Sequence, residues 1–167
     1  MRKRDVIAVG LDSSPASGAA LLWAAEEASR RGGVLFVVHS WNRHLHPPAP
    51  YAPVPGPEED HEAGRELLER SVAVVRARFP RLPVRTALSG RRPEQALTEV
   101  AGADLLVLGS AAQRPGDGRL GAVLLACLRW PPCPVAVVGT PGRLSPSGGA
   151  PARGSLTPAR RRRIRVH

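Results

Sequence analysis

An α/β domain built on a parallel sheet is the fold this sequence predicts, and three observations carry the prediction. Apolar runs of strand length recur along the first 139 residues, most of them short and continuous, as in strands buried on both faces. Helical stretches separate them, which makes the strands parallel and puts helices on both sides. Glycine or proline stands at most junctions.

The first run, Asp5–Gly10, ends at a glycine and is followed by Asp12, Ser13 and Ser14, side chains suited to capping a helix. Pro15 suits a first helical turn, where its missing N–H is not needed. Ala16–Arg31 reads as an alanine-rich helix with Ala19, Leu22 and Trp23 on one face, closed by Gly32-Gly33. Val34–Trp41 is the second strand. Asn42–Pro57 carries six prolines in sixteen residues, which excludes it from a helix or sheet interior and predicts a surface loop. Glu58–Phe79 returns to helical spacing, with Leu68, Val72, Val75 and Phe79 in one stripe. Acidic residues crowd its start and arginines its end, matching the helix dipole. Pro83–Ser89 is the third strand, Pro93–Ala101 a short helix and Asp104–Gly109 the fourth strand. A glycine-bearing loop, Ser110–Gly118, leads into a helix over Arg119–Arg129, and Pro134–Gly139 is the fifth strand.

Composition narrows the function classes. The net charge of +10 is concentrated in one place, because residues 140–167 hold seven arginines and no acid. Residues 1–139 carry 17 basic and 14 acidic groups, or +3. The sequence therefore divides into a nearly balanced domain over 1–139 and a basic tail over 140–167. That tail is too poor in large apolar residues to offset its ordering entropy, so it is expected to be disordered. Its run Arg160–Arg163 with Arg165 reads as a solvated tail; the alternative is an arm touching nucleic-acid phosphates. With 4% aromatics, a base-stacking nucleic-acid platform is not expected. Cys127 and Cys133 are too few for a disulfide framework and read as small buried hydrophobes. No apolar run reaches the roughly 18–20 residues of a membrane span. The basic start Met1–Arg4 has no h-region after it, and a cytoplasmic location is expected.

Catalysis is not expected either. There is no Gly-x-Ser-x-Gly elbow, and Lys3 is the sole lysine, which leaves no Walker lysine. A receiver-type phosphoacceptor would follow the third strand, where Leu88, Ser89 and Gly90 stand instead. His39 lies inside a strand and reads as a satisfied histidine. His44 and His46 lack a third metal ligand at suitable spacing, so no metal site is expected. Ligands of such sheets lie beyond the carboxyl ends of the strands, where strand order reverses. That points to Asp12 after the first strand and to Gly109 with its loop after the fourth. Asp12 has two readings open to it, a helix cap or a ligand contact.

The stretch Val9-Gly10-Leu11-Asp12-Ser13-Ser14-Pro15-Ala16-Ser17, with Ala20, Leu21, Trp23 and Ala24, resembles the opening of universal stress proteins. The likeness recurs at Asp104–Ser110 and at Pro132-Cys133-Pro134-Val135, and spans about residues 4–139. The resemblance implies a five-stranded parallel sheet ordered 3-2-1-4-5, of the adenine-nucleotide alpha-hydrolase-like, Rossmann-like kind. It also implies a homodimer through the last strand, here Pro134–Gly139, and in some members ATP accompanied by Mg. Family members that bind ATP carry glycine, two residues, glycine, nine residues, then glycine with Ser or Thr. Glycines admit the phosphates to the backbone, and a helix N-terminus with a hydroxyl supplies donors.

Carried onto this chain, the resemblance marks Asp12, Ser40, Leu108, Gly109, Ala112, Gly121, Ala122 and Val123 as the nucleotide-site positions. Three departures weaken the expected grip on ATP. Ala112 replaces the second glycine, eight residues instead of nine precede Gly121, and Ala122 has no hydroxyl. Losing one hydroxyl donor to a phosphate costs roughly 1.5–3 kcal/mol, about one to two decades of affinity. Arg114 and Arg119, with Gly116 and Gly118, are the loop's remaining resources. Ser40 stands where an apolar residue often packs on adenine, while Asp12 is retained.

Overall fold

The structure, a computed structural model, describes residues 4–42, 56–110 and 121–139. The elements run β1 (Val6–Leu11), α1 (Pro15–Arg30), β2 (Val34–Ser40), α2 (Pro57–Arg78), β3 (Val84–Ser89), α3 (Pro93–Thr98), β4 (Leu105–Ser110), α4 (Ala122–Arg129) and β5 (Val135–Gly139). The five strands form one parallel sheet in the order β3-β2-β1-β4-β5, as the resemblance implied. The expected proline-rich loop and the Ser110–Gly118 loop fall mostly on residues outside those described, and so do the tail, Arg119 and Leu120.

Alternation along the strands sorts the core into two halves. Ile7, Val9, Leu35, Val37, Leu105 and Val107 face α1 and α2, where they meet Ala20, Ala24, Leu68 and Val75. Ala8, Val38, Leu106 and Leu108 face the other way, against Leu97 of α3 and Leu124 and Cys127 of α4. A central strand buried on both faces needs apolar residues at every position, which explains the continuous runs in β1 and β4.

The buried stripe of α1 differs from the expected one. Ala16, Ala20, Leu21, Ala24, Ala25 and Ala28 are buried, whereas Trp23 is 40% exposed and Ala19 and Leu22 are half-buried. The cause is how close the helix sits to the sheet. A Cβ placed on Gly109 of β4 would lie 2.5 Å from the Ala16 carbonyl carbon and 2.7 Å from the Ser17 nitrogen. Backbones that near leave room for alanine and none for tryptophan, so the large side chains turn outward. The stripe of α2 follows expectation, with Leu68, Val72 and Val75 buried and Phe79 packed at its end. Its acidic first turn (Glu58, Glu59, Asp60) and basic last turn (Arg76, Arg78) also stand as expected. Helix α3 stops at Thr98, short of Ala101, and Gly102 at φ +76° makes the turn that leads into β4.

Candidate functional site

Strand order reverses at β1: the chain proceeds outward through β2 and β3, then returns to place β4 on the other side. The carboxyl ends of β1 and β4 are therefore the place where such sheets form a ligand crevice, with α1 packed on one face and α4 on the other. Asp12, Gly109, Gly121 and Ala122 are the expected residues that border it.

The turn after β1 is tightly bonded. The Ser14 N–H donates to Asp12 Oδ1 at 2.7 Å, an Asx turn that fixes the carboxylate. Ser14, not Asp12, caps α1, its Oγ accepting from the Ser17 N–H at 3.1 Å. Ser17 is buried, and its hydroxyl lies 2.6 Å from the Asp12 carbonyl and 3.0 Å from that of Ser14. The same oxygen accepts from the Asp12 N–H at 3.2 Å. Asp12 itself is exposed. Partial burial favours its neutral form, but hydrogen bonds from Ser14 and Ser17 and the charge field of His39 together outweigh it and hold the carboxyl below its usual range. The capping reading thus passes to Ser14, and the crevice keeps an ionised carboxylate in a fixed place.

His39 is satisfied, as its position in a strand implied. Its Nδ1 lies 2.8 Å from the Leu11 carbonyl, and a carbonyl can only accept, so Nδ1 carries the proton. Its other edge faces Gly64 of α2, where a Cβ would come within 2.9 Å of the ring.

Ser40 does not offer a platform for a base. Its Oγ donates to the Arg91 carbonyl at 2.5 Å, and the Arg91 N–H donates to Ser89 Oγ at 3.2 Å. Asn42 Nδ2 adds a bond to the Gly90 carbonyl at 3.0 Å, and the Trp41 ring lies against Gly90. His61 meets Trp41 edge-on, with centroids 6.0 Å apart. The β2–β3 end of the crevice is therefore walled by side-chain ties to backbone.

Leu108 is buried, and its side chain fills the space over Gly10, so only its backbone borders the crevice. Gly109 has a packing reason of its own, the contact with α1. Gly121 caps α4 with no side-chain bond, and a Cβ there would meet open space. Ala122 is exposed, and Val123 is half-buried against the second core half. Ala112 lies outside the described residues, together with Arg114, Gly116, Gly118, His44 and His46.

An open groove of about 490 Å³ touches this turn at Leu11–Ser14, but its other walls are α1 and α2, including Leu22, Leu67 and Arg70. It lies on the opposite face of the sheet from α4, so the strand switch between β1 and β4 is the better candidate for the ligand. Among the described residues no group of three His, Cys, Asp or Glu is placed to hold a metal, and no helix is long and apolar enough to cross a membrane. Burial raises the Cys127 thiol to about 11, helped by the nearby Glu94, and Cys133 is shifted the same way by burial and Asp104. Neither is an activated nucleophile.

Ser17, part of the opening stretch that carries the resemblance, fixes the β1 turn. Glu94 escaped the sequence reading; it brings a buried carboxylate oxygen to the α3–α4 side. The signal for Glu94 was present in its place in the first turn after Pro93, on a helix that starts at the carboxyl edge of the sheet.

Comparison with known proteins agrees with this fold. The universal stress protein family model matches residues 3–139. A universal stress protein of Mycobacterium tuberculosis is 33% identical over 144 residues, covering 82% of this chain and 48% of that protein. One from Mycolicibacterium smegmatis is 35% identical over 138 residues, covering 79% and 45%. The chain thus spans about half the length of these curated relatives. Among solved structures, the universal stress protein from Archaeoglobus fulgidus is similar with a TM-score of 0.61 at 24% identity, covering 81% of this chain and 94% of that one. The universal stress protein of the same organism in complex with dAMP is 25% identical with a TM-score of 0.59, covering 83% and 99%. A universal stress protein in complex with cAMP has a TM-score of 0.56 at 24% identity, covering 82% and 98%. A sheet ordered 3-2-1-4-5, a serine-capped turn after its first strand and a match along residues 3–139 make this chain a member of the universal stress protein family.

Proposed function

We propose that this chain is a cytoplasmic, non-catalytic stress-response regulator that binds an adenine nucleotide mainly through its nucleoside part. The observation that carries the reading is the fixed Asp12 carboxylate at the strand switch, suited to a neutral hydroxyl or amine and unsuited to a phosphate. The relative solved with dAMP supports the ligand class. On the phosphate side, the chain brings Gly121 without a side-chain cap and Ala122 without a hydroxyl. A triphosphate with Mg then gains little over a monophosphate. Calorimetric titration of AMP and of Mg-ATP into the full chain tests this. Comparable affinities are expected. Silence with both ligands would overturn the reading in favour of partner binding alone.

A second reading, association through β5, has its own observation. Among the described residues β5 pairs with β4 alone, and Val137 on it is 44% exposed, with Leu125 of α4 51% and Trp130 at the end of α4 71% exposed. A second copy seated along Pro134–Gly139 would pair the edge strand and cover Val137. Sedimentation of wild type and Val137→Glu decides it: a dimer that the substitution splits supports the interface, and a wild-type monomer ends it.

A further inference from the structure

At the end of the sheet away from β5, the outer edge of β3 is open. Among the described residues β3 pairs with β2 alone. The Leu35 N–H donates to the Pro83 carbonyl at 3.0 Å, and the Trp41 N–H donates to the Ser89 carbonyl at 3.1 Å. In a parallel ladder alternate residues serve the same neighbour, so the odd-numbered residues of β3 bond β2. Val84, Thr86 and Leu88 turn their N–H and C=O groups to the open edge.

The same three residues send their side chains toward α2. There they line an open groove of about 460 Å³, with Leu68, Val72 and Ala73 on the helix side. Gly64 packs on Leu88, where a Cβ would come within 2.9 Å of it. α2 therefore runs back along the strand, and Arg76, about 18 Å further on, lines the groove at its Val84 end. Unpaired main chain beside side-chain pockets is the arrangement by which a sheet accepts one more strand.

Charge decides which strand fits. Arg65, at the Leu88 end, is taken up by Glu62 and Glu69. Arg76 in the groove, Arg81 in the turn before β3 and Arg85 on the strand are exposed and have no ion pair among the described residues. Arg85 stands on the face away from α2, its guanidinium 5.4 Å from the centre of the Phe36 ring. Such cations guard an edge against unselective pairing and against a second copy, which would set arginine on arginine. Residues 140–167 suit it no better, with seven arginines and no acid. A strand with carboxylates on the Arg85 face and small apolar side chains on the groove face meets every feature of this edge.

We propose that the β3 edge and its groove with α2 dock an extended acidic segment of a partner protein, which joins the sheet as a sixth strand. The site needs no nucleotide and leaves β5 free.

Amide chemical shifts of the full chain, followed by NMR, test this. The probe is a blocked peptide of alternating glutamate and valine, about seven residues long. Saturable shifts are expected at the amides of Val84, Thr86, Leu88 and Ala73, with a Kd below about 1 mM. Lysine in place of glutamate should weaken binding at least about tenfold. Methylating alternate amides of the peptide, which removes its main-chain donors, should abolish it. Arg85→Glu should reverse the preference in favour of the lysine peptide, and Arg76→Glu should do so independently from the helix side. Equal binding of the two peptides by wild type overturns the proposal, as does an unchanged preference in both variants. No saturable shift up to about 1 mM, or shifts confined to residues away from β3 and α2, overturns it too. Shifts at β3 that grow with protein concentration alone assign the edge to a second copy and overturn it as well.

Discussion

The turn after β1 and the start of α4 stand at the same edge of the sheet and are held in opposite ways. In the first, Ser14 and Ser17 spend their hydroxyls on backbone groups, and Asp12 is fixed by the amide two residues on. In the second, Gly121 and Ala122 bring no side-chain donor at all. On the proposed reading the difference separates recognition of a nucleoside from a grip on phosphate: a fixed carboxylate suits neutral donors, and the described start of α4 brings no side chain for negative charge.

Substitutions can break that contrast, and the largest effect is expected at Gly109. Gly109→Ala drives a methyl into the α1 backbone at 2.5 Å, which side-chain motion cannot relieve. About 3 kcal/mol of stability should be lost in urea unfolding. Ser17→Ala comes next. It strands the Asp12 N–H and removes the hydroxyl shared by the Asp12 and Ser14 carbonyls, a cost of about 1–3 kcal/mol by the same measurement.

Asp12→Asn acts through charge. The folded carboxyl titrates below the ordinary value of 3.8, so its stabilising contribution is complete above that pH and is lost as pH falls through the folded pKa. Wild type should exceed Asp12→Asn at pH 7 by less than about 1 kcal/mol, after allowance for solvent screening. The gap should close in strong acid, as followed by unfolding at a series of pH values. The smallest effect belongs to Gly121→Ser. A serine at this N-cap has open space and adds a hydroxyl for the first turn of α4, so a gain of a few tenths of a kcal/mol is expected in thermal unfolding.

Much of the scaffold was legible in the residues because both-face burial demands unbroken apolar runs, and β1, β2, β4 and β5 have them. The α1 face was not, since the spacing of Leu22 and Trp23 carries no information on how near the helix approaches the sheet. That distance is set by Gly109, ninety-odd positions away, and becomes visible only when α1 and β4 are brought together. The candidate site divides in the same manner. Asp12 and Gly109 were found by their place at strand ends. Ser17 bonds within five residues, to Asp12 and Ser14, whereas the unpaired oxygen of Glu94 depends on tertiary neighbours and Ser40's tie to Arg91 joins residues from different strand connections. Gly109 was read from the resemblance as a phosphate glycine, and the structure gives it a packing duty as well.

Restoring the missing phosphate contacts tests the central claim most directly. Mg-ATP and AMP are titrated into wild type and into the Ala112→Gly, Ala122→Ser double variant. The account predicts similar affinities for the two ligands in wild type. In the variant, Mg-ATP should bind at least about tenfold tighter while AMP gains less. Wild-type binding of Mg-ATP a hundredfold tighter than AMP would contradict it, because the phosphate side would then be intact as it stands.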